Sequence, residues 1–186
     1  MSDLAAVVLA AGASRRLGQS KQWAVVGGET LLARAVRTAQ HAGLAPVYVV
    51  MAQAEPAGAL GQGVQMVVNH EASEGIASSV RAGVAACAEA EGVVLLTCDQ
   101  PTVTAEHLRA LTTARREVTA SCYAGRRGVP AYFPRASFAS LLALRGDSGA
   151  RDLLQQARCL PLLLGELDVD TPEDLARAQA MFRSER

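Results

Sequence analysis

Residues 4–21, LAAVVLAAGASRRLGQSK, decide the fold. The stretch begins with a continuous apolar run, which is typical of a strand buried on both faces of a parallel sheet. The run opens into small residues and then gathers basic side chains at Arg15, Arg16 and Lys21. Small residues let backbone N–H groups approach phosphate oxygens, and cationic side chains neutralise the remaining charge. The stretch therefore predicts a strand followed by a polyphosphate-binding loop, although a solvated strand-to-helix connection is the plainer alternative.

The loop carries neither of the two common phosphate-binding patterns, the P-loop Gly-x-x-x-x-Gly-Lys-Ser/Thr or the dinucleotide-binding Gly-x-Gly-x-x-Gly. Residues 9–21, LAAGASRRLGQSK, instead resemble the L-A-A-G-x-S-x-R-x-G-x-x-K signature of MobA-like nucleotidyltransferases. Within that family the sequence looks most like the molybdenum-cofactor cytidylyltransferases. The resemblance extends over nearly the whole chain, from Val7 to Leu175, and includes segments resembling C-D-Q-P and G-D-x-G-A-R.

Composition excludes several classes of protein. The 186 residues are 50% hydrophobic and 19% charged, with a formal net charge of zero. A chain of this size buries a substantial core, and we expect a single nucleotidyltransferase domain over residues 1–186. Zero net charge provides no global field for nucleic acid or an anionic membrane, so neither is an expected partner. Because Asp3 replaces a basic leader region and the first apolar run is short, we expect a cytoplasmic protein.

The four cysteines are scattered singly among apolar neighbours. They show no Cys-x-x-Cys pair and no suitably spaced histidine partners. We therefore expect buried free thiols in a reducing compartment rather than disulfides or a zinc site. The positions concerned are Cys87, Cys98, Cys122 and Cys159.

Alternating strand and helix patterns predict a Rossmann-like, doubly wound α/β fold with a mostly parallel sheet. A small antiparallel insertion is expected near residues 118–133, with its turn at residues 125–128. In such sheets, ligands lie at the carboxyl ends of the strands where the strand order reverses. Predicted strands cover residues 4–9, 46–51, 64–68, 93–98 and 160–164, and predicted helices cover residues 30–42, 104–116 and 136–144 and begin near residues 75, 148 and 172.

Two aspartates are candidate metal ligands. Asp99 follows an apolar strand directly, and Asp170 lies in the segment DVDTPED. Carboxylate oxygens suit Mg²⁺, which proteins hold through one or two carboxylates together with phosphate oxygens and water. The resemblance implies that Asp99 binds magnesium with a later aspartate close by, although Asp168 competes with Asp170 for that role. The alternatives are a turn-forming acid for Asp99 and a helix-dipole acid for Asp170.

Arg16 and Lys21 are the candidate catalytic cations, together with the Asp99 carboxylate. Arginine forms forked hydrogen bonds to phosphate, and lysine is a mobile point charge that can follow a leaving pyrophosphate. Arg15 is interpreted as a solvated neighbour. The resemblance further implies CTP as the donor, because an Ala-Ala-Gly sequence accompanies cytidylyl donors. The backbone expected near the base and phosphates belongs to Leu9, Ala10, Ala11 and Gly12.

Further segments gain a functional interpretation only through the resemblance. Gly75, Ser78 and Ser79 match E-G-x-x-S-S, which implies contact with base and ribose, although serines also cap helices. Thr30, Ser148 and Thr171 are likewise candidate helix caps. The segments resembling G-x-P and G-D-x-G-A-R imply acceptor binding, although a glycine also ends helices. The residues concerned are Gly128, Pro130, Asp147 and Arg151.

The resemblance implies a Mg²⁺-dependent transfer of CMP from CTP to the phosphate of molybdopterin, with release of pyrophosphate. A molybdenum hydroxylase is a possible downstream partner. Related enzymes activate sugar phosphates or methylerythritol phosphate, and no residue here identifies a pterin. A non-catalytic carrier of molybdenum cofactor is a second hypothesis, but it would not require Asp99, Arg16 and Lys21. A nicotinamide-dependent oxidoreductase is disfavoured because Gly-x-Gly-x-x-Gly is absent.

Overall fold

The apolar run at residues 4–9 forms the strand on which the main sheet is built. The computed structural model describes residues 4–14, 16–55, 60–147 and 149–183. The strands are β1 (Leu4–Leu9), β2 (Val25–Val26), β3 (Glu29–Thr30), β4 (Val47–Met51), β5 (Val64–Val68), β6 (Gly92–Thr97), β7 (Thr119–Tyr123), β8 (Arg126–Pro134) and β9 (Arg158–Pro161). The α-helices are α1 (Leu31–His41), α2 (Ile76–Ala86), α3 (Ala105–Leu111), α4 (Phe138–Leu142), α5 (Arg151–Leu154) and α6 (Pro172–Arg183).

Seven strands form one sheet in the order β5-β4-β1-β6-β8-β7-β9, and β2 pairs with β3 separately. β1 pairs in parallel with β4 on one side and β6 on the other. The strand order therefore reverses at β1, which places a ligand crevice at the carboxyl ends of β1 and β6. β8 runs antiparallel to both β6 and β7, whereas β7 and β9 are parallel. The predicted doubly wound fold with an antiparallel insertion is confirmed.

Helices cover both faces of the sheet because β1 is apolar on both sides. Ala6 and Val8 pack with residues of α1 and α3, whereas Val7 packs with residues of α2 and α4. This division follows from the two-residue period of a strand, which sends successive side chains to opposite faces. Among the described residues, no helix is long and apolar enough to cross a bilayer.

Capping signals in the sequence correspond to helix ends in the structure. The Thr30 hydroxyl accepts a hydrogen bond from the N–H of Ala33 at the start of α1 (3.1 Å). At the start of α6, the N–H of Asp174 donates to the Thr171 hydroxyl (3.2 Å), and the N–H of Thr171 donates to the Asp174 carboxylate (3.0 Å). This reciprocal pair is a capping box, which satisfies N–H groups left free at a helix start.

Several predicted boundaries are wrong, including those of α4, which spans Phe138–Leu142 and not residues 136–144. α3 ends at Leu111, not near residue 116, and the hydroxyls of Thr112 and Thr113 donate to carbonyls of its last turn. The hairpin turns at Ala124 and Gly125, both with positive φ, so the two arginines that follow belong to β8. A two-residue turn of this kind matches the twist of the paired strands. The last strand is Arg158–Pro161, two residues earlier than predicted, because its register is set by pairing with β7.

The expectation of four free cysteines is also wrong. Cys122 and Cys159 form a disulfide with their Cα atoms 5.7 Å apart, whereas Cys87 and Cys98 are buried free thiols. The two bonded cysteines are 37 residues apart in sequence and come together because β7 and β9 are neighbouring strands. Sequence spacing contains no signal for such a pair.

Candidate active site

A cleft of about 860 Å³ lies at the carboxyl ends of β1, β4 and β6. The small-residue loop after β1 forms one wall, and the segment leading into α2 forms the opposite wall. The position agrees with the crevice expected from the reversal of strand order. Residues that line the cleft and carry polar side chains include Lys21, Gln22, Gln53, Glu55, Ser79, Asp99 and Asp147.

Lys21, Asp99 and Asp170 form the charged cluster at the edge of this cleft. The Lys21 ammonium donates to Asp99 Oδ2 at 2.8 Å and to Asp170 Oδ1 at 2.5 Å. Asp99 follows β6 directly, and Asp170 precedes α6, so the two carboxylates come from distant parts of the sequence. The backbone N–H of Val169 donates to the carbonyl of Asp99 (2.9 Å) and joins the two segments. The structure therefore assembles a predicted catalytic cation with both predicted metal ligands.

Opposing influences act on the Lys21 ammonium. Burial alone would lower the pKa of Lys21, but the Asp99 and Asp170 carboxylates together raise it above its ordinary value. Lys21 is therefore charged at neutral pH. Arg16 also donates to Asp170, at 2.7 Å, while 72% of its side chain remains exposed. Arg16 therefore pairs with the cluster while most of its side chain stays in solvent.

Asp168 occupies a different environment from Asp170. Its carboxylate pairs with Arg126 of β8 at 3.6 Å, although Lys21, Asp99 and Asp170 are also close enough to influence it. Burial, reinforced by the nearby Asp99 and Asp170 carboxylates, raises the pKa of Asp168 to about 6, although Arg126 and Lys21 oppose the shift. Since Asp170 shares a cation with Asp99, Asp170 is the better placed partner for a metal ion.

The loop after β1 exposes backbone toward the cleft. Ala10 remains tied to the sheet through its N–H, which donates to the carbonyl of Val50 (2.9 Å), whereas Ala11 and Gly12 line the cleft. The Ser14 hydroxyl accepts from the N–H of Lys21 (3.0 Å) and thereby closes the loop. Arg15 lies outside the described residues. This geometry suits close approach of a phosphate or a base to backbone groups.

Two predicted ligand-binding segments meet on the opposite wall. Gly75 has a φ of +124°, and a Cβ there would lie 2.3 Å from Asp147 Oδ1 and 2.6 Å from the carbonyl oxygen of Gly146. Only glycine fits this contact. The N–H of Ala77 also donates to the Gly146 carbonyl (3.1 Å). Gly75 and Asp147 therefore belong to one continuous wall, although they are 72 positions apart in the sequence.

Asn69, Ser78 and Ser79 form the amide cluster beneath this wall. Asn69 Nδ2 donates to the hydroxyls of Ser78 (2.9 Å) and Ser79 (3.0 Å), and all three residues are buried. Ser79 still lines the cleft, whereas Ser78 donates to the Gly75 carbonyl (2.8 Å) and is not among the lining residues. The sequence pattern assigns Asn69 no functional role, since it only follows the predicted strand at residues 64–68. Its position at the carboxyl end of β5 was the available signal.

The model of the MobA-like NTP transferase domain family matches residues 6–160. The chain belongs to this family. A relative over nearly its full length is the purine catabolism protein PucB of Bacillus subtilis, which is 35% identical over 191 residues (92% of this chain, 93% of PucB). A second is a nicotine blue oxidoreductase of Paenarthrobacter nicotinovorans, 33% identical over 193 residues (95% and 94%). A third is a probable molybdenum cofactor guanylyltransferase of Opitutus terrae, 37% identical over 106 residues (56% and 52%).

Solved structures agree with the family assignment. Rv0371c of Mycobacterium tuberculosis superimposes with a TM-score of 0.82 at 31% identity, covering 96% of this chain and 98% of that one. A further structure of Rv0371c is a complex with manganese, with a TM-score of 0.71 at 28% identity and the same coverage. The fold and family together identify this chain as a nucleotidyltransferase of the MobA-like type, with relatives connected to molybdenum cofactor.

Three of the four predicted acceptor-binding residues of this MobA-like domain do not line the cleft. Gly128 lies against Tyr123, where a Cβ would be 2.5 Å from the phenolic oxygen, so its backbone packs closely on the hairpin. The Pro130 side chain is buried, and Arg151 is exposed at the start of α5. Only Asp147 reaches the cleft among the four. The predicted Ser148 cap lies outside the described residues.

The donor set of the charged cluster fits a divalent cation of the hard type. No group of three or more His, Cys, Asp or Glu side chains in the described ranges of the chain forms a ready metal site. Asp99 and Asp170, however, contact the same ammonium, so their oxygens already converge on one positive charge. Two carboxylates completed by phosphate oxygens and water constitute a common Mg²⁺ site.

Proposed function

We propose that this MobA-like protein is a Mg²⁺-dependent cytidylyltransferase. It transfers CMP from CTP to the phosphate of molybdopterin or molybdenum cofactor and releases pyrophosphate. The observation that carries the proposal is the charged cluster, in which Asp99 and Asp170 share Lys21 beside the small-residue loop. A binding protein without catalysis has no need for two carboxylates and a lysine at this point.

The transfer requires in-line attack of an acceptor phosphate oxygen on the α-phosphorus, with pyrophosphate as the leaving group. Asp99 and Asp170 would hold Mg²⁺, which when bound neutralises charge on the phosphate oxygens. Lys21 lies next to that position and is placed to pair with the leaving phosphates. Arg16, at the exposed edge of the cluster, is assigned to the same triphosphate. Positioning and charge neutralisation account for most catalysis in reactions of this class.

The preference for CTP rests on the small-residue loop. Ala11 lines the cleft beside Gly12, and its methyl group occupies space that a glycine would leave open. A single methyl group near a base edge discriminates by ~1–3 kcal/mol, which is enough to disfavour a larger purine. Gly75 and Ser79 on the facing wall are assigned to the base and ribose of the same nucleotide.

The pterin acceptor is supported by the G-D-x-G-A-R resemblance at residues 146–151 and by the Opitutus terrae relative, named for molybdenum cofactor. Asp147 lines the cleft and is the acceptor residue nearest the proposed nucleotide. Sugar phosphates and methylerythritol phosphate are the alternative acceptors for the same chemistry.

A relative named as an oxidoreductase supports a second candidate function, reduction by a nicotinamide. Hydride transfer makes no use of paired carboxylates on a lysine. The two functions are therefore separated by measuring nicotinamide oxidation beside pyrophosphate release.

The decisive experiment measures pyrophosphate release with Mg²⁺ and each of CTP, GTP, ATP and UTP in turn. Each nucleotide is offered alone, with molybdenum cofactor, and with sugar phosphates or methylerythritol phosphate, while NADH oxidation is followed in parallel. Release confined to CTP with the pterin is the expected result. Release with another combination of nucleotide and acceptor would change the assigned substrates but leave the reaction type unchanged. Tight pterin binding without release favours the carrier hypothesis, and NADH oxidation without release favours the oxidoreductase.

A further inference from the structure

The Arg81 side chain connects the two segments that form the α2 wall of the cleft. Arg81 lies one turn and a half into α2, and 18% of its side chain is exposed. Its Nη1 and Nη2 atoms donate to the two Glu74 carboxylate oxygens at 2.9 and 2.6 Å. Nη2 also donates to Glu71 at 3.3 Å. A forked arginine–carboxylate pair of this type restricts both side chains in one geometry.

The same guanidinium reaches the second segment. Nη1 of Arg81 donates to the backbone carbonyl of Leu144 at 2.9 Å, just before the cleft residue Asp147. Leu144 and Glu74 are therefore held by one rigid group, although 70 residues separate them in the sequence. Arg145 donates to the same carbonyl at 2.8 Å, but from the exposed side and without contact to Glu74 or Glu71.

Different contacts hold the two segments in place. The Glu71–Ser79 side is attached to the sheet end by Asn69, which bonds to Ser78, Ser79 and the N–H of Glu71. The 144–147 side meets this wall through the bond from Ala77 to the Gly146 carbonyl, through Arg81, and through the Glu74 carboxylate, which also bonds to the backbone of Gly146. Loss of Arg81 therefore removes the bond to Leu144 and the fork that holds Glu74 beside Gly146, while the amide cluster remains intact.

We infer that Arg81 is a positioning residue that sets the acceptor side of the cleft relative to the nucleotide side. Gly75 leaves no space for the two segments to shift toward each other, because a Cβ there would already contact Asp147 and Gly146. Arg81 prevents them from moving apart. Its role in substrate binding rests on the proposed function, whereas its role in docking the two segments does not.

The test combines hydrogen–deuterium exchange with steady-state kinetics of Arg81→Met. Exchange at residues 142–147 is expected to accelerate at least about tenfold, while exchange at residues 76–80 stays near that of the wild type. In pyrophosphate release, KM for the molybdenum cofactor rises about tenfold and KM for CTP changes less than about threefold. Arg145→Gln is the matched control, since it removes an exposed donor from the same carbonyl, and it is expected to leave exchange and both KM values unchanged.

Wild-type exchange at residues 142–147 in Arg81→Met would overturn the inference, as would equal increases in both KM values. Should Arg81→Met fold poorly, Arg81→Lys keeps the charge but loses the fork, and faster exchange at residues 142–147 is again expected. If the wild type releases no pyrophosphate with any substrate pair, the proposed function fails, and the exchange measurement still decides whether Arg81 docks the two segments.

Discussion

The charged cluster at the edge of the cleft and the amide cluster beneath its α2 wall differ in charge and in solvent exposure. Lys21, Asp99 and Asp170 retain 15–30% of their side-chain exposure, whereas Asn69, Ser78 and Ser79 are at most 5% exposed. The charged cluster joins residues that are distant in sequence, whereas Asn69 precedes Ser78 and Ser79 of α2 by only 9 and 10 positions. The first keeps its charges within reach of a ligand, and the second satisfies neutral polar groups inside the protein.

The difference follows from the cost of desolvation. Charges that leave water lose hydration energy comparable to what their pairing returns, so a partly exposed ion pair contributes little net stability. A buried neutral hydrogen bond contributes about 1 kcal/mol, but an unsatisfied partner costs ~1–3 kcal/mol. We therefore expect substitutions in the charged cluster to affect turnover more than stability, and substitutions in the amide cluster to do the reverse.

The largest effect is expected for Asp99→Asn. Removal of one carboxylate charge from the proposed metal site should lower turnover at least ~1,000-fold, equivalent to ~4 kcal/mol in the barrier. Pyrophosphate release measures the loss, and circular dichroism verifies that the fold survives. Asp168→Asn is the matched control, since that carboxylate faces Arg126, and it should keep turnover within about tenfold. Wild-type turnover in Asp99→Asn would remove Asp99 from the metal site.

The second largest effect on turnover is expected for Lys21→Met. The variant leaves Asp99 and Asp170 facing each other without the shared ammonium and removes the cation assigned to the leaving phosphates. We expect kcat to fall ~100-fold, which corresponds to ~2.7 kcal/mol. Arg37→Gln removes an exposed cation paired with Glu29 and serves as the control. Equal kcat in Lys21→Met and Arg37→Gln would contradict the assignment of Lys21.

In the amide cluster, Asn69→Ala should act mainly on stability. It deprives two buried hydroxyls of their donor and the Glu71 N–H of its acceptor, so the free energy of unfolding should drop by ~2–3 kcal/mol. Urea denaturation at constant m-value measures the change. Removal of an exposed amide in Gln156→Ala provides the reference. Equal free energies of unfolding for Asn69→Ala and Gln156→Ala would contradict the stabilising role of the amide cluster.

The smallest effect is expected from a second neutral contact, between the half-buried His107 and the buried Ser121. The two side chains lie 2.8 Å apart, and the Ser121 hydroxyl donates to the Pro130 carbonyl, so His107 Nε2–H donates to Ser121. Burial lowers the pKa of His107 below its ordinary value. As the pH drops below 6.5, His107 takes up a proton in the unfolded chain before it does so in the native protein. The free energy of unfolding therefore decreases as the pH decreases.

His107→Gln keeps a donor and removes the titration. Its melting temperature should therefore fall less than that of the wild type between pH 7.5 and pH 5. Parallel curves for the two proteins over this range would show that His107 does not contribute to the pH dependence.

Much of the site could be predicted from the sequence because its signals are local. The small residues after β1 and the aspartate after β6 each follow a buried strand, and parallel strands bring their carboxyl ends to one edge. Asn69 also follows a strand, β5, but no sequence pattern indicated its partners on α2, and Arg81 had no positional signal. Asn69 bonds to serines at the start of α2, and Arg81 bonds to the Leu144 carbonyl 63 positions away. Patterns of neighbouring residues specify neither contact.

The sequence by itself determined the fold class, the small-residue loop after β1 and the helix caps at Thr30 and Thr171, since these depend on side-chain period and on bonds across a few residues. Only the tertiary structure decided that Asp170, and not Asp168, shares Lys21 with Asp99. Only the tertiary structure also established that Cys122 pairs with Cys159 and that the last strand spans Arg158–Pro161. The physical reason is that strand pairing and register bring together groups from distant parts of the chain, and no local rule specifies which of two nearby side chains makes the contact.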